Sequence, residues 1–199
     1  GAFSSPDEVL EREIMNHLFP DTTYGCESGG DPKNIPDLTY ENFLNFHRTY
    51  YHPSNSYIYL YGNMDMEEKL AFLDEHYLSH FDYLDVDSVI QEQKAFGACQ
   101  DVTLEYPVAE NEGEEDNTYL SYNMVVGNAA DSQMAMAFEV LDYALLSAPG
   151  APLKQALLDV KAGKDVYGSY DDGILQPYFT VIAKGSNPDR KEEFVSAIR

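Results

Sequence analysis

The stretch spanning residues 39–64, TYENFLNFHRTYYHPSNSYIYLYGNM, constrains the fold more than any other part of the chain. Apolar and aromatic side chains recur at helical spacing between Phe43 and Tyr51, which predicts an amphipathic helix. The Thr39 hydroxyl can accept a hydrogen bond from a free N–H group of the first turn. Pro53 ends the helix, because the residue before a proline is pushed out of the helical region.

Beyond the HPSN turn, the hydrophobic period changes from helical to strand-like. Tyrosines alternate with Ile58 and Leu60 over residues 56–61, and this period of two predicts a β-strand. Gly62 and Asn63 end the strand, and Asp65 with Glu68 forms a capping box for a following helix. The stretch therefore predicts a helix, a tight turn, a strand and a second helix.

The segment FHRTYYHPSNSYIYLYGNM resembles the helix-to-strand junction of the pitrilysin (insulinase-type) zinc metallopeptidases. Their pattern at this junction is an aromatic pair, x-Pro-Ser-Asn, an apolar strand and a glycine. Three further segments are similar to the presequence-protease branch: DTTYGCESGGDPKNIPDLTYENF, NTYLSYNMVVGNAAD and LDYALLSAPGAPLKQAL. The resemblance covers nearly the whole chain. Ala151 is a departure, since the branch usually has serine before that proline.

This resemblance implies an α+β fold of two-layer antiparallel sheets covered by helices, as in mitochondrial-processing-peptidase-like metallohydrolases. Residues 1–82 would be the C-terminal part of a first peptidase-type domain. Residues 83–100 would be a linker, and residues 101–199 the N-terminal part of a second homologous domain. The chain would then support the active-site domain and line part of an enclosed chamber.

In the resembled family, zinc is held by a His-x-x-Glu-His motif, whose glutamate takes the proton from the metal-bound water. This motif does not occur in the chain. By the family's order, a third ligand falls before Gly1, and the substrate-contacting Arg and Tyr fall beyond Arg199. The resemblance therefore implies no catalytic and no metal-binding residue in this chain, and it leaves the substrate-binding residues unassigned.

Other patterns outline the remaining elements. Ser5 and Glu8 form a capping box for a helix with Pro6 in its first turn, and Pro20 ends that helix. The spacing predicts a helix over residues 66–81, and Asp131 or Ser132 caps a helix whose inward residues are Met134, Phe138, Leu141 and Leu145. The remaining predictions are strands at 101–106, 118–126, 166–170 and 178–184, and helices that begin at Pro152 and after Pro188.

The net charge of −23, from 35 acidic and 12 basic residues, limits the classes of partner. Nucleic acid and anionic membranes are excluded as partners, because both need Lys and Arg to displace counterions. The sequence also has no run of roughly 20 apolar residues that could span a bilayer. Solubility accounts for the charge, and so does attraction of basic peptides; composition leaves both open.

Three local patterns could hold an ion, and each has a simpler interpretation. His76 and His80 have the i, i+4 spacing of a helical zinc pair, but no glutamate lies between them, which favours a solvated helix edge. The ESGGDP segment, in the loop from Glu27 to Pro32, lacks the Lys-Ser/Thr of a phosphate-binding loop. The ENEGEEDN segment, residues 110–117, lacks EF-hand spacing for calcium, so a hairpin loop is favoured.

Cys26 and Cys99 lie far apart without a motif, which predicts a reducing compartment rather than a disulfide framework. The bacterial cytoplasm is the first expectation and an organelle matrix the second. The terminal Gly1 and Arg199 are consistent with a piece cut from a longer chain by a trypsin-like protease.

The leading functional hypothesis is a non-catalytic internal fragment of a zinc endopeptidase that degrades unfolded peptides. Zinc would then be bound by the longer parent protein and not by this fragment. The partners would be peptide substrates and the remaining halves of the parent. The alternative is a scaffold or partner subunit of the same fold without peptidase activity, since fold does not determine function. A third class is a free-standing acidic binding domain.

Overall fold

The computed structural model describes residues 5–108 and 113–199. The chain divides into two compact units. We call Gly1–Glu27 together with Gln91–Arg199 the sheet unit, and Ser28–Ile90 the helical unit. The α-helices are α1 (Pro6–Leu18), α2 (Tyr40–Tyr50), α3 (Met66–His76), α4 (Ser132–Asp142), α5 (Pro152–Asp159) and α6 (Lys191–Ile198). The strands are β1 (Thr118–Val125), β2 (Asp165–Asp171) and β3 (Tyr178–Ser186).

The three strands form an antiparallel sheet in the order β1-β3-β2. The central position of β3 explains its near-continuous burial, since both of its faces and both of its edges are covered. The register places Thr180 beside Asn123 on β1 and beside Ser169 on β2. The predicted strands at 118–126, 166–170 and 178–184 are thereby confirmed.

One face of the sheet carries the hydrophobic core. Val166, Val181 and Ala183 pack there against Leu157 of α5 and Phe194 of α6, all of them fully or almost fully buried. A π-helical turn, Tyr143–Ser147, follows α4 directly and adds the buried Leu146 to this core. Burying such side chains stabilises the unit by roughly 1.5–3 kcal/mol each.

The opposite face of the sheet is in contact with α1. Phe19, immediately after α1, is fully buried and packs edge-on against Tyr178, with ring centroids 6.2 Å apart. Near the other end of β3, Lys184 Nζ forms an ion pair with Asp7 Oδ2 at 2.8 Å. The predicted α+β architecture, an antiparallel sheet covered by helices, is confirmed, and α1 adds a helix on the second face.

The helical unit has well-formed local structure without buried side chains. Thr39 Oγ1 accepts a hydrogen bond from Asn42 N at 3.1 Å, so the predicted N-cap of α2 is present. Asp65 Oδ1 accepts one from Glu68 N at 3.0 Å and caps α3. No residue in Ser28–Ile90 is buried, although α2 presents a large aromatic surface.

Two predicted strands are wrong in this structure. Residues 56–61 have no regular secondary structure, and Tyr57, Tyr59 and Tyr61 are among the most exposed side chains. Residues 101–106 are likewise irregular. A strand needs an adjacent strand to satisfy its backbone groups, and neither segment has one among the described residues. Residues 110–112 of the predicted hairpin loop lie outside the described residues.

Three finer predictions also need correction. Helix α1 starts after Ser5 as expected, but the Ser5 side chain makes no capping hydrogen bond. Helix α3 ends at His76 instead of residue 81, because Tyr77 leaves the helical conformation. Met134 and Leu141 are exposed, and Phe138 and Leu145 are the predicted inward residues of this segment that pack on the core. The predicted division at residues 83–100 concerns domains of a longer protein and stays a prediction.

Candidate functional site

The histidine pair does not keep the spacing of a helical zinc pair. His76 is the last residue of α3 and packs on Phe72 with ring centroids 4.6 Å apart. His80 lies in a separate 3₁₀ turn, Leu78–His80, so the two rings are no longer one helical turn apart on a continuous helix. Within residues 5–108 and 113–199, no three His, Cys, Asp or Glu side chains are placed to hold a metal ion. These donors therefore do not fit the family's zinc ion.

In the loop from Glu27 to Pro32, Asp31 accepts hydrogen bonds from backbone N–H groups that follow it in the chain. Gly30 has φ of +85°, a conformation that glycine adopts without strain. Asp31 follows and accepts a hydrogen bond from Lys33 N at 2.8 Å through Oδ1, while its carbonyl accepts from Asn34 N at 2.8 Å. A carboxylate at this position repels a phosphate group, so the loop geometry favours a turn over an anion site.

Asp116, in the predicted hairpin loop at residues 110–117, binds protein donors. Asn187 Nδ2 donates to Asp116 Oδ1 at 2.7 Å, and Asp116 N donates back to Asn187 Oδ1 at 2.9 Å. Lys164 Nζ lies 3.1 Å from Asp116 Oδ2. The hydrogen bond from Asn187, followed by that from Lys164, holds the pKa of Asp116 below its usual value. The carboxylate thus fixes the chain before β1 at two places: Oδ1 bonds to Asn187, just after β3, and Oδ2 pairs with Lys164, just before β2.

A polar cluster that sequence reasoning missed lies between α1 and the sheet. Lys184 Nζ donates to both carboxylate oxygens of Asp7, at 3.0 and 2.8 Å. The hydroxyls of Tyr119 and Tyr167 lie 3.4 and 3.5 Å from the same carboxylate. These residues come from four elements and are far apart along the chain, so no local pattern could have indicated them.

The protonation states of this cluster favour a structural role over a catalytic one. The hydrogen bond from Lys184 to Asp7 is the largest cause that raises the pKa of Lys184 above its usual value. Burial, followed by the Asp7 charge, raises the pKa of Tyr167. A lysine held protonated and a phenol held neutral are poor general bases at neutral pH. The cluster therefore fixes α1 to the sheet and offers no acid–base pair.

A second missed contact lies within the sheet unit and joins Gln93 to the loop before β3 and to the segment after α1. Gln93 and Gln176 are both buried, and they exchange two hydrogen bonds. Gln93 also pairs through its side-chain amide with Asp21. These contacts span 72 and 83 residues of sequence, which is why periodicity could not reveal them.

A shallow groove runs beside the outer edge of β2. The loop after the π-helical turn, the first turns of α5, and Tyr167 with Gly168 on β2 form its walls. Lys154 is the only cation that lines it, and no described carboxylate faces it. The groove has no nucleophile with an adjacent base, so it shows no catalytic constellation. Cys26 and Cys99 are both free and exposed.

None of the described helices is long and apolar enough to cross a membrane.

The chain was compared with known protein families and curated proteins. Residues 37–199 match the family model described as the Peptidase M16 inactive domain. "Protein HypA" of Clostridium perfringens is 47% identical over 198 residues, which are 100% of this chain and 20% of that protein. "Presequence protease 1, chloroplastic/mitochondrial" of Arabidopsis thaliana is 37% identical, over 98% of this chain and 19% of that protein.

Two further comparisons extend this result. "Presequence protease, mitochondrial" of Xenopus laevis is 32% identical over 97% of this chain and 19% of that protein. The crystal structure of an M16-like peptidase from Alicyclobacillus acidocaldarius superposes with a TM-score of 0.59 at 18% identity, over 99% of this chain and 47% of that one. That likeness shows the fold alone. The chain spans about a fifth of the length of these curated relatives. It belongs to the M16 peptidase family, and it corresponds to the part of that family described as the inactive domain.

Proposed function

We propose that this chain is a non-catalytic part of a longer zinc-dependent endopeptidase that degrades unfolded peptides. The observation that carries the proposal is the match of residues 37–199 to the Peptidase M16 inactive domain. The relatives named as presequence proteases support a peptidase as the parent protein. In such a parent, zinc would activate a water molecule at a site formed by residues outside this chain.

The structure of the helical unit supports a structural contribution within a longer polypeptide. A unit without buried residues has no hydrophobic core of its own and cannot offset the conformational entropy lost on folding. Its exposed aromatic side chains are those that a larger domain would bury. The −23 charge supports peptides with Lys and Arg as the substrate class, because a surface of one sign attracts ligands of the other.

The division of the chain into parts of two homologous domains, at residues 83–100, belongs to the same proposal. We place the parent in a reducing compartment, the bacterial cytoplasm or an organelle matrix. Both exposed cysteines support this assignment, since free surface thiols are typical of reduced proteins.

Zinc content and peptide cleavage of the parent protein test the proposal. We expect one zinc ion per parent, none on this chain alone, and cleavage of an unfolded basic peptide that stops when a chelator removes the metal. A folded parent without zinc and without cleavage would favour the alternative, a scaffold subunit. If this chain alone held stoichiometric zinc, the variants His76→Ala and His80→Ala would show whether the histidine pair binds it after all.

A further inference from the structure

Helix α4 is apolar on nearly every side. Its sequence SQMAMAFEVLD has polar side chains only at Ser132, Gln133, Glu139 and Asp142. One side of the helix packs on the sheet through Phe138, whose ring stacks on that of Tyr170 at a centroid distance of 5.5 Å. Ala135 and Asp142 are also partly buried, and the other residues of the helix are exposed. Apolar helix surfaces are normally buried, so the exposed side of α4 lacks a cover among the described residues of the sheet unit.

The uncovered surface has a defined centre. Met136, Val140 and Tyr143 follow one another at i, i+4 and i+7, and they are exposed by 63%, 61% and 62%. Ala137 and Leu141 lie beside Met136 and Val140 along a shallow groove, whose polar lining residues are Ser132 and Gln133. We call Met136, Ala137, Val140, Leu141 and Tyr143 the outer face of α4. The spacing places them on one side of the helix, which is the arrangement that a packed neighbour would contact.

The charges around the outer face restrict what can cover it. The sequence contains no Lys, Arg or His between Lys94 and Lys154. Asp131, the N-cap residue of α4, and Glu139 within the helix are by contrast both exposed. A covering element would therefore bury apolar side chains at the centre of this face and present Lys or Arg at its rim, because like charges there would be repelled.

We propose that the outer face of α4 is an intramolecular docking surface, covered in the parent protein by an apolar element with a basic rim from another part of the same polypeptide. The length of the relatives argues for this occupant, since about four fifths of each of them lies outside the part that matches this chain. A second copy of the chain fits less well. A two-fold contact would bring the same acidic rims together in a molecule that already carries a net charge of −23.

This docking surface depends only on the chain being part of a longer protein. It does not depend on zinc or on peptide cleavage, so a failure of the proposed function would leave it intact. It also differs from a substrate site. A substrate would cover the outer face only while bound, whereas an intramolecular element covers it permanently.

Photo-crosslinking in the parent protein tests the proposal. A benzoylphenylalanine residue replaces Val140, and the products are mapped by mass spectrometry with and without an added unfolded basic peptide. We expect an intramolecular crosslink to a residue outside this chain, present in both samples. A crosslink found only to the added peptide would overturn the proposal in favour of a substrate surface. A crosslink to a second copy, or no crosslink at all, would also overturn it.

A charge variant gives an independent readout. We expect Val140→Glu in the parent to lower the midpoint of thermal unfolding, because it places an unpaired charge inside the contact. The matched control is Ser147→Glu, which adds the same charge at an exposed position outside the outer face. If Val140→Glu does not fold, thiol labelling of Val140→Cys in a background with Cys26→Ser and Cys99→Ser replaces it. Labelling at least tenfold slower in native than in denatured parent supports the proposal, and equal rates overturn it.

Discussion

The side-chain amide of Gln176 pairs with the backbone N–H and C=O groups of Gln93. Gln93 N donates to Gln176 Oε1 at 2.6 Å, and Gln176 Nε2 donates to Gln93 O at 3.2 Å. The amide group of Gln176 thus satisfies the N–H and the C=O of one residue, as a neighbouring strand would. Both residues are less than 10% exposed. The pair fixes the segment after Ile90 to the loop that precedes β3.

The variant Gln176→Leu should destabilise the chain by roughly 1–3 kcal/mol, because it leaves the buried N–H and C=O of Gln93 without partners. Urea unfolding followed by circular dichroism measures this change. Gln100→Leu is the matched control, since Gln100 is exposed and its side-chain amide donates to the nearby Ala98 carbonyl. Equal midpoints for the two variants would contradict the importance given to the pair.

Gly168 on β2 has no room for a side chain. A Cβ atom there would lie 2.2 Å from the Thr180 carbonyl oxygen and 2.6 Å from Leu146 Cδ1. We expect Gly168→Ala to destabilise the chain by about 1–3 kcal/mol or more, because the backbone and a core side chain must both shift. Gly97→Ala is the control, since a Cβ at Gly97 meets no atom within 4 Å. The difference between their unfolding midpoints measures the effect, and similar midpoints would contradict the packing described for β2.

Asp131 is the N-cap residue of α4 and Ser5 is the N-cap residue of α1, but the two side chains make different contacts. Asp131 Oδ1 accepts hydrogen bonds from Gln133 N at 3.2 Å and Met134 N at 3.0 Å, whereas the Ser5 side chain makes none. Asp131→Ala should therefore cost about 0.5–2 kcal/mol of stability, and Ser5→Ala much less. Thermal unfolding of both variants is the measurement. A larger loss for Ser5→Ala would mean that α1 is capped in solution as its sequence pattern predicts.

We expect the folded chain to lose stability at alkaline pH because of Tyr178. Burial, followed by the charge of Asp171, raises the pKa of Tyr178 from 10.0 to about 12. A raised pKa means that the folded state holds the phenolic proton more tightly than the unfolded state does. The stabilisation that the protonated phenol of Tyr178 contributes is therefore complete below pH 10, and it is lost as the pH rises from about 10 to about 12.

Tyr178→Phe has no phenol to ionise, so its stability should fall less over this range. Urea unfolding at several pH values between 9 and 12 compares the two proteins. Tyr143→Phe is the control, because Tyr143 is exposed at the start of the π-helical turn and the ring change is the same. Parallel pH profiles for Tyr178→Phe and the unmodified chain would show that Tyr178 does not cause the loss.

Sequence patterns predicted the elements that depend on nearby residues. The caps at Thr39 and Asp131, the helix end before Pro53 and the helix that carries Phe194 all follow from contacts within a few positions. The family was also recognisable from short ordered segments. Local hydrogen bonding and periodicity decide such features before the chain folds, so they can be read without coordinates.

The predicted strands show where that reasoning stops. Residues 178–184 and residues 56–61 have comparable β-forming patterns, yet the first forms the central strand and the second forms none. The difference lies in the partners: β3 has strands on both edges, and residues 56–61 have none among the described residues. Periodicity predicts which faces of a strand are apolar, but only a neighbouring strand satisfies its backbone.

By itself, the sequence determined the family, the absence of the zinc motif, the acidic charge and most helix boundaries. Only the tertiary structure decided that His76 and His80 separate where α3 ends, and that α1 packs on the second face of the sheet through Asp7 and Lys184. It also decided that Gln93 pairs with Gln176, and that α4 is left uncovered on its outer face. The end of α3 follows from the conformation of Tyr77, which the hydrophobic period does not show. The other features depend on contacts between residues far apart in the chain, or on the absence of such contacts, and neither has a local signature.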